Sequence, residues 1–122
     1  MTEDITLQQG LKAAADFFDA HPDKRTHGVL ARDSMGFEVS PRSPRAACWC
    51  ALGRLAKELD NEPEPECYYG TGALVGLFPS TLRSEADDLW VFNDSHRAPD
   101  LTPRITKRMR YLAEQLENHT DA

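Results

Sequence analysis

Leu7, Leu11, Ala14 and Phe18 recur at i, i+4, i+7 and i+11, which is one face of a helix, and they predict a first helix over 5–19. Asp4 or Thr6 is placed to cap it. His21-Pro22 stops it, because proline restricts the residue before it. The pattern then shifts to alternation. In residues 28–40, Val29 and Ala31 alternate with Leu30 and Arg32, Gly36 supplies a turn, and Phe37 and Val39 return on one side, so this stretch predicts a β-hairpin. Helical spacing resumes over 44–59, where Cys48, Leu52, Leu55 and Leu59 form an apolar stripe widened by Trp49 and Ala56. Ser43 suits the cap of this helix and Pro44 its first position. Gly53 costs about 1 kcal/mol in a helix interior relative to Ala. Its presence there predicts that another segment passes close by.

Asp60–Cys67 is an acidic, proline-containing linker, and Tyr68–Gly76 opens with glycine-rich turns. Leu82, Ala86 and Leu89 predict a further helix over 81–92, with Ser84–Asp87 resembling a capping box and Asn93-Asp94-Ser95 a terminating turn. Ile105, Met109, Leu112 and Leu116 repeat the 4-3-4 spacing and predict a last helix over 103–118, capped by Thr102 and opened by Pro103. The expected fold is therefore mainly α with a small β component: a compact bundle of about four helices with one β-hairpin packed on it. One domain over 1–122 is expected, frayed beyond residue 118.

Composition supports a folded chain: 122 residues with 40% hydrophobic and 28% charged content suffice for one core without disulfide or metal staples. No stretch approaches 18 apolar residues, and the N-terminal run carries no charged and apolar signal pattern, so a cytoplasmic protein without a membrane segment is expected. Three cysteines do not make a disulfide framework and point to free thiols in a reducing compartment. A net charge of −6 argues against a generic nucleic-acid binder. Within Arg97–Arg110, however, five basic residues stand against Asp100 alone, a local charge of +4 that leaves −10 on the remainder. Arg104, Lys107, Arg108 and Tyr111 share one helix face, which makes them the candidate partner-binding residues. Positive charge in a first helical turn opposes the macrodipole. An anionic partner would compensate it, and so would Asp87 and Asp88 across the fold.

Cys50 is the candidate nucleophile. On a helical wheel it falls beside Arg54 and Lys57, whose charge would favour thiolate, while Cys48 points into the leucine stripe. His27 or His96 with Asn93 or Asp94 would complete a Cys-His-Asn/Asp arrangement. The competing expectation is a half-buried structural cysteine, with Asn93-Asp94 doing ordinary cap chemistry. Metal binding is not expected, since Cys48 and Cys50 form C-x-C, Cys67 stands on the linker, and no two histidines are four apart on a helix. Gly70, Gly72 and Gly76 give G-x-G-x-x-x-G, which is not the dinucleotide fingerprint and reads as turn glycines. No cofactor is implied.

Ala31-Arg32-Asp33-x-x-Gly36-x-x-Val39, then Pro44-x-Ala46-x-x-Trp49-Cys50-Ala51-Leu52-Gly53, then Phe92-Asn93-Asp94 before a final helix, resembles a family of small uncharacterised proteins of actinobacteria and bacteriophages. The resemblance spans roughly residues 27–115 and is most specific at Trp49–Gly53 and Asn93-Asp94. Phe92 and Arg54 depart from it, the family usually having Trp and Ala there, and so does the acidic linker. It singles out Cys50, Gly53, Asn93 and Asp94, carries no established activity, and implies a phage or prophage accessory gene. Small acidic proteins of that kind often work by binding a host protein, so modulation of a host protein or defence system is expected by analogy of context. Three functions are thus expected in order: a non-catalytic protein that binds a host or self protein; a small cysteine-dependent hydrolase or transferase using Cys50; and a nucleic-acid-associated module using the basic last helix.

Overall fold

The computed structural model describes residues 6–59 and 75–120. The acidic linker and most of the glycine-rich stretch lie outside the described residues. Among those described, four helices enclose one core and a two-stranded antiparallel sheet packs against them.

Helix α1 spans Leu7–Ala20. Of the two cap candidates Thr6 is the one used, its hydroxyl accepting from Gln9 N–H while the Gln9 side chain takes Thr6 N–H. The predicted stripe faces inward, with Leu11, Ala14 and Phe18 fully buried. Helix α1 packs most extensively against α4, Thr102–Thr120, whose Ile105, Met109, Leu112 and Leu116 are buried as their spacing requires. Helix α2 is Ala51–Leu59 and helix α3 is Arg83–Ser95, contributing Leu52, Leu55, Ala86 and Leu89 to the same core. No helix among the described residues is long and apolar enough to cross a membrane.

Residues 46–49 depart from the expected helix. Strand β1, Ala31–Asp33, pairs with strand β2, Ala46–Trp49, in the register Ala31↔Trp49 and Arg32↔Cys48. The tight return at Gly36 also forms: Gly36 takes φ +88°, Asp33 N–H donates to Phe37 O (2.9 Å) and Val39 N–H to Ala31 O (3.1 Å). Two partners therefore flank β1, the nearer return and the more distant β2. Cross-strand pairing and the bond from Trp49 Nε1 to Pro41 O (2.9 Å) override the apparent helical spacing of Cys48 with Leu52. Ser43 and Pro44 accordingly precede a strand rather than cap a helix.

Cys50 stands immediately before α2. Its Sγ accepts from Gly53 N–H (3.2 Å) and its carbonyl from Arg54 N–H (2.9 Å), the arrangement of an N-cap residue. Its own N–H donates to Leu30 O (3.0 Å), which fixes the chain entering β1 against the first turn of α2. Gly53 faces that carbonyl: a Cβ there would lie 1.8 Å from Leu30 O. The close approach expected at Gly53 is thus the Leu30 backbone.

The capping box expected at Ser84–Asp87 is not used. Helix α3 follows a single 3-10 turn at Ser80–Leu82 with no side-chain cap bond. Asn93-Asp94-Ser95 forms the last turn of α3 rather than a turn beyond it. Thr102 hydrogen-bonds sideways to Arg25 and Pro22, and a 3-10 turn at Pro99–Leu101 leads into α4 in place of a Thr102 cap.

Candidate functional site

The candidate nucleophile and its proposed helpers gather in one region around Asp94. Asn93 is fully buried. Its Oδ1 accepts from Arg25 (3.2 Å) and its Nδ2 donates to Thr26 O (2.9 Å) and Asp94 Oδ1 (3.3 Å). Asp94 Oδ1 also accepts from Gly28 N–H (3.1 Å), where the backbone holds φ +80°. Asn93-Asp94 therefore staples the end of α3 to the 25–28 segment. At the centre lies Arg25, 9% exposed, donating to Thr102 Oγ1 (2.9 Å), Asn93 O (3.3 Å), Ala98 O (3.0 Å) and His96 O besides Asn93 Oδ1. These bonds carry no carboxylate. Burial lowers the guanidinium pKa from its usual value, and the fork is held by neutral acceptors.

Cys50 is 3% exposed, and burial pushes its thiol up to about 12, aided by the charge of Asp94 and opposed by the Gly53 and Leu52 N–H groups. Arg54, expected beside the thiol, instead pairs with Glu58 (2.7 Å) and stacks over Phe17 (3.6 Å) and Trp49 (4.6 Å). The wheel placement presumed a helix beginning before Cys50; with α2 starting at Ala51 the predicted neighbours turn elsewhere. Neither His27 nor His96 hydrogen-bonds the thiol. The His96 ring stacks on Phe92 (3.9 Å) with Nδ1 against Phe92 O (2.8 Å). The pKa of His27 is lowered by burial and by Arg97, Arg32 and Arg25, with Asp94 opposing. Burial favours the protonated thiol, the less reactive form of a cysteine. The burial of Cys50 and the hydrogen bonds of Asn93 and Asp94 accord with the competing expectation of a structural cysteine beside ordinary cap chemistry. Among the described residues no three His, Cys, Asp or Glu side chains gather as a metal site.

The basic face is a different matter. Arg104, Lys107, Arg108, Tyr111 and Leu112 fall at i, i+3, i+4, i+7 and i+8 of α4, and Glu85 and Phe92 fall seven apart on α3. These residues line one groove of about 500 Å³ between the two helices. Leu112 is buried at its floor, the Arg108 guanidinium lies 4.3 Å from the centre of the Phe92 ring, and Tyr111 stands 50% exposed at the edge. All four predicted partner-binding residues thus share one concavity.

The cations of the stripe divide into two sets. Arg110 turns to α1, where it pairs with Asp16 (2.7 Å) and Asp19 (2.6 Å), bonds that raise its pKa. Arg97 donates to Asp94 O (3.0 Å). Arg104, Lys107 and Arg108 have no ion pair with a described carboxylate. Asp87, one of the expected compensators, accepts from Trp90 Nε1 (2.9 Å) instead. Glu85 lines the groove, and one of its carboxylate oxygens is buried beneath the surface with no hydrogen-bond donor among the described residues. Sequence reasoning missed Glu85 and Phe92 as groove residues, because only the packing of α3 on α4 brings them to the basic face.

The chain matches no family model, no curated protein and no solved structure.

Proposed function

We propose that this chain is a non-catalytic interaction protein of bacterial or bacteriophage origin that binds a host protein through the α3–α4 groove and modulates it, in the cytoplasm. One observation carries the reading: Arg104, Lys107 and Arg108 converge on an apolar floor and draw no carboxylate from the described protein. A charged rim around an apolar centre is the composition of a protein-docking site. The phage and host assignments rest on the resemblance of the Trp49–Gly53 and Asn93-Asp94 motifs. Burial of Cys50 supports this reading over the cysteine-dependent alternative.

The test is affinity capture from a lysate of the host bacterium, using the native chain, Arg104→Glu/Arg108→Glu, and Cys50→Ser. A single stoichiometric protein held by the native chain and by Cys50→Ser, and lost from the charge-reversed variant, is expected. A partner retained by the charge-reversed variant would remove the groove from the account. Absence of any partner would remove the interaction reading itself.

A further inference from the structure

We infer that the 26–28 segment binds a phosphate-class dianion, held by Arg97 and His27 in the positive field of Arg25 and Arg32. None of these residues lines the α3–α4 groove, so the inference goes beyond the function proposed above and neither depends on the other.

Uncompensated charge carries it. Arg25, Arg32 and Arg97 surround this segment, and every hydrogen bond they make goes to a neutral oxygen. Those of Arg25 reach Thr102, Asn93, His96 and Ala98. Arg32 donates to Thr26 Oγ1, Gly36 O and His27 O (3.1 Å each), and Arg97 Nε donates to Asp94 O (3.0 Å). None of the three has an ion pair with a described carboxylate, whereas Arg54 and Arg110 do. Asp94 is the one acidic side chain whose charge acts on His27, against three guanidiniums, so three minus one leaves a local charge of +2. The Asp94 Oδ1 is itself shared by Gly28 N–H and Asn93 Nδ2.

This charge lies where an anion can reach it. Arg97 is exposed, and its two terminal nitrogens have no partner among the described residues; nor have the ring nitrogens of His27. Gly28 is exposed and holds φ +80°, and a Cβ there would lie 3.6 Å from Arg32 Nη2, so the bare glycine keeps a side chain off that guanidinium. Arg25 fixes the frame, since His96 O and Ala98 O, on either side of Arg97, both accept from it. Its buried charge costs free energy among neutral acceptors, and a nearby anion recovers part of that cost. The terminal N–H pair of one guanidinium suits two oxygens of a phosphate, and a net +2 matches a dianion better than a single carboxylate.

His27 reports on the site. Burial, with Arg97, Arg32 and Arg25, holds its pKa below the usual histidine value, and Asp94 opposes them. A bound dianion would offset the three arginines, so anion binding and protonation of His27 strengthen each other.

The experiment is NMR of the full chain, following the backbone amides and the His27 Cε1–H while inorganic sulfate, a dianion of fixed charge near neutral pH, replaces chloride at constant ionic strength. Saturable shifts centred on residues 26–28 and 97 are expected. The titration midpoint of His27 should rise by about half a pH unit at saturation, which by linkage is about threefold tighter binding to the imidazolium form. Arg97→Gln should weaken binding about tenfold. Lys12→Gln, which removes an equal charge from exposed α1, should change it less than about twofold. His27→Gln should abolish the pH dependence of affinity. Amide spectra verify that each variant is folded. Inorganic phosphate and glycerol phosphate, compared next, identify the source: tighter binding of the ester assigns the site to a phosphorylated small molecule, tighter binding of the inorganic ion to a free anion, and both agree with the inference. Shifts that grow without saturating, binding unchanged in Arg97→Gln, an unmoved His27 midpoint, or shifts centred on 104–112 of α4 would each overturn it.

Discussion

Gly53→Ala puts the close approach of β1 and α2 to a quantitative test. Exchanging glycine for alanine inside a helix ordinarily stabilises by about 1 kcal/mol. At Gly53 the added Cβ would lie 1.8 Å from Leu30 O and 2.7 Å from its carbonyl carbon. Both are backbone atoms, so no rotamer change relieves the overlap, and the Leu30 peptide must move by more than an ångström. That carbonyl accepts the Cys50 N–H, and the Leu30 side chain is 2% exposed. Overpacking costs about 1–3 kcal/mol. Losing the buried hydrogen bond adds about 1–3 kcal/mol. Set against the propensity gain, the net loss centres on about 3 kcal/mol, a large part of the roughly 5–15 kcal/mol that holds a domain together. Urea unfolding followed by Trp fluorescence should show a midpoint lowered by about 1.5 M, for a slope of about 2 kcal/mol/M. Gly10→Ala is the control. Its Cβ would meet Leu59 Cδ2 at 2.8 Å and Leu55 Cδ1 at 3.0 Å, the ends of flexible side chains, so it should lose less than about 1 kcal/mol. A Gly53→Ala protein as stable as the native one, or more stable, would refute the packing of Leu30 on α2.

Three further outcomes follow from the buried polar cluster. Cys50, with its thiol pushed up to about 12, should stay unmodified by iodoacetamide in the folded protein at pH 8 and react after unfolding in urea; peptide mapping separates it from Cys48. Arg25→Met should destabilise by about 3 kcal/mol, because it strands the acceptors on Asn93, Thr102, His96 and Ala98. Arg25→Lys should recover less than half of that loss in the same urea titration, since an ammonium lacks the fork; full stability of the lysine variant would contradict the hub. The lowered pKa of His27 means that the unfolded chain takes up its proton at a higher pH than the folded one. Its contribution is therefore present above the usual histidine pKa of about 6.5 and is lost as pH falls through the lower folded value. His27→Asn should reduce the fall in stability between pH 7 and pH 5 relative to the native chain, and an identical fall in both would count against the shift.

Helix faces were legible wherever local amphipathicity and tertiary burial agree. The spacings of Leu7–Phe18 and of Ile105–Leu116 specify which side of α1 and α4 enters the core. Gly53 was legible for the same reason, since a glycine in a strongly apolar helix signals a neighbour. Residues 46–49 were not. Cys48 falls in phase with Leu52 by coincidence, and the pairing that makes β2 a strand comes from Ala31–Asp33, earlier in the chain. The shortened helix also changes the neighbours of Cys50, because a wheel drawn from the wrong first residue places Arg54 beside the thiol rather than over Phe17 and Trp49. Arg25 gave no local signal: its partners stand 68 to 77 residues away. The basic face of the site was readable from α4 alone, whereas Glu85 and Phe92 joined it only through the packing of α3. Separation of Arg110 from that face likewise needed α1 in place, since Asp16 and Asp19 draw it around the helix.

Hydrogen–deuterium exchange on the complex with the captured partner tests the groove most directly. Protection is predicted over 85–92 of α3 and 104–112 of α4, falling away in Arg104→Glu/Arg108→Glu. Protection confined to another surface, such as the turn that exposes Met35 and Phe37, would contradict the α3–α4 groove as the binding site.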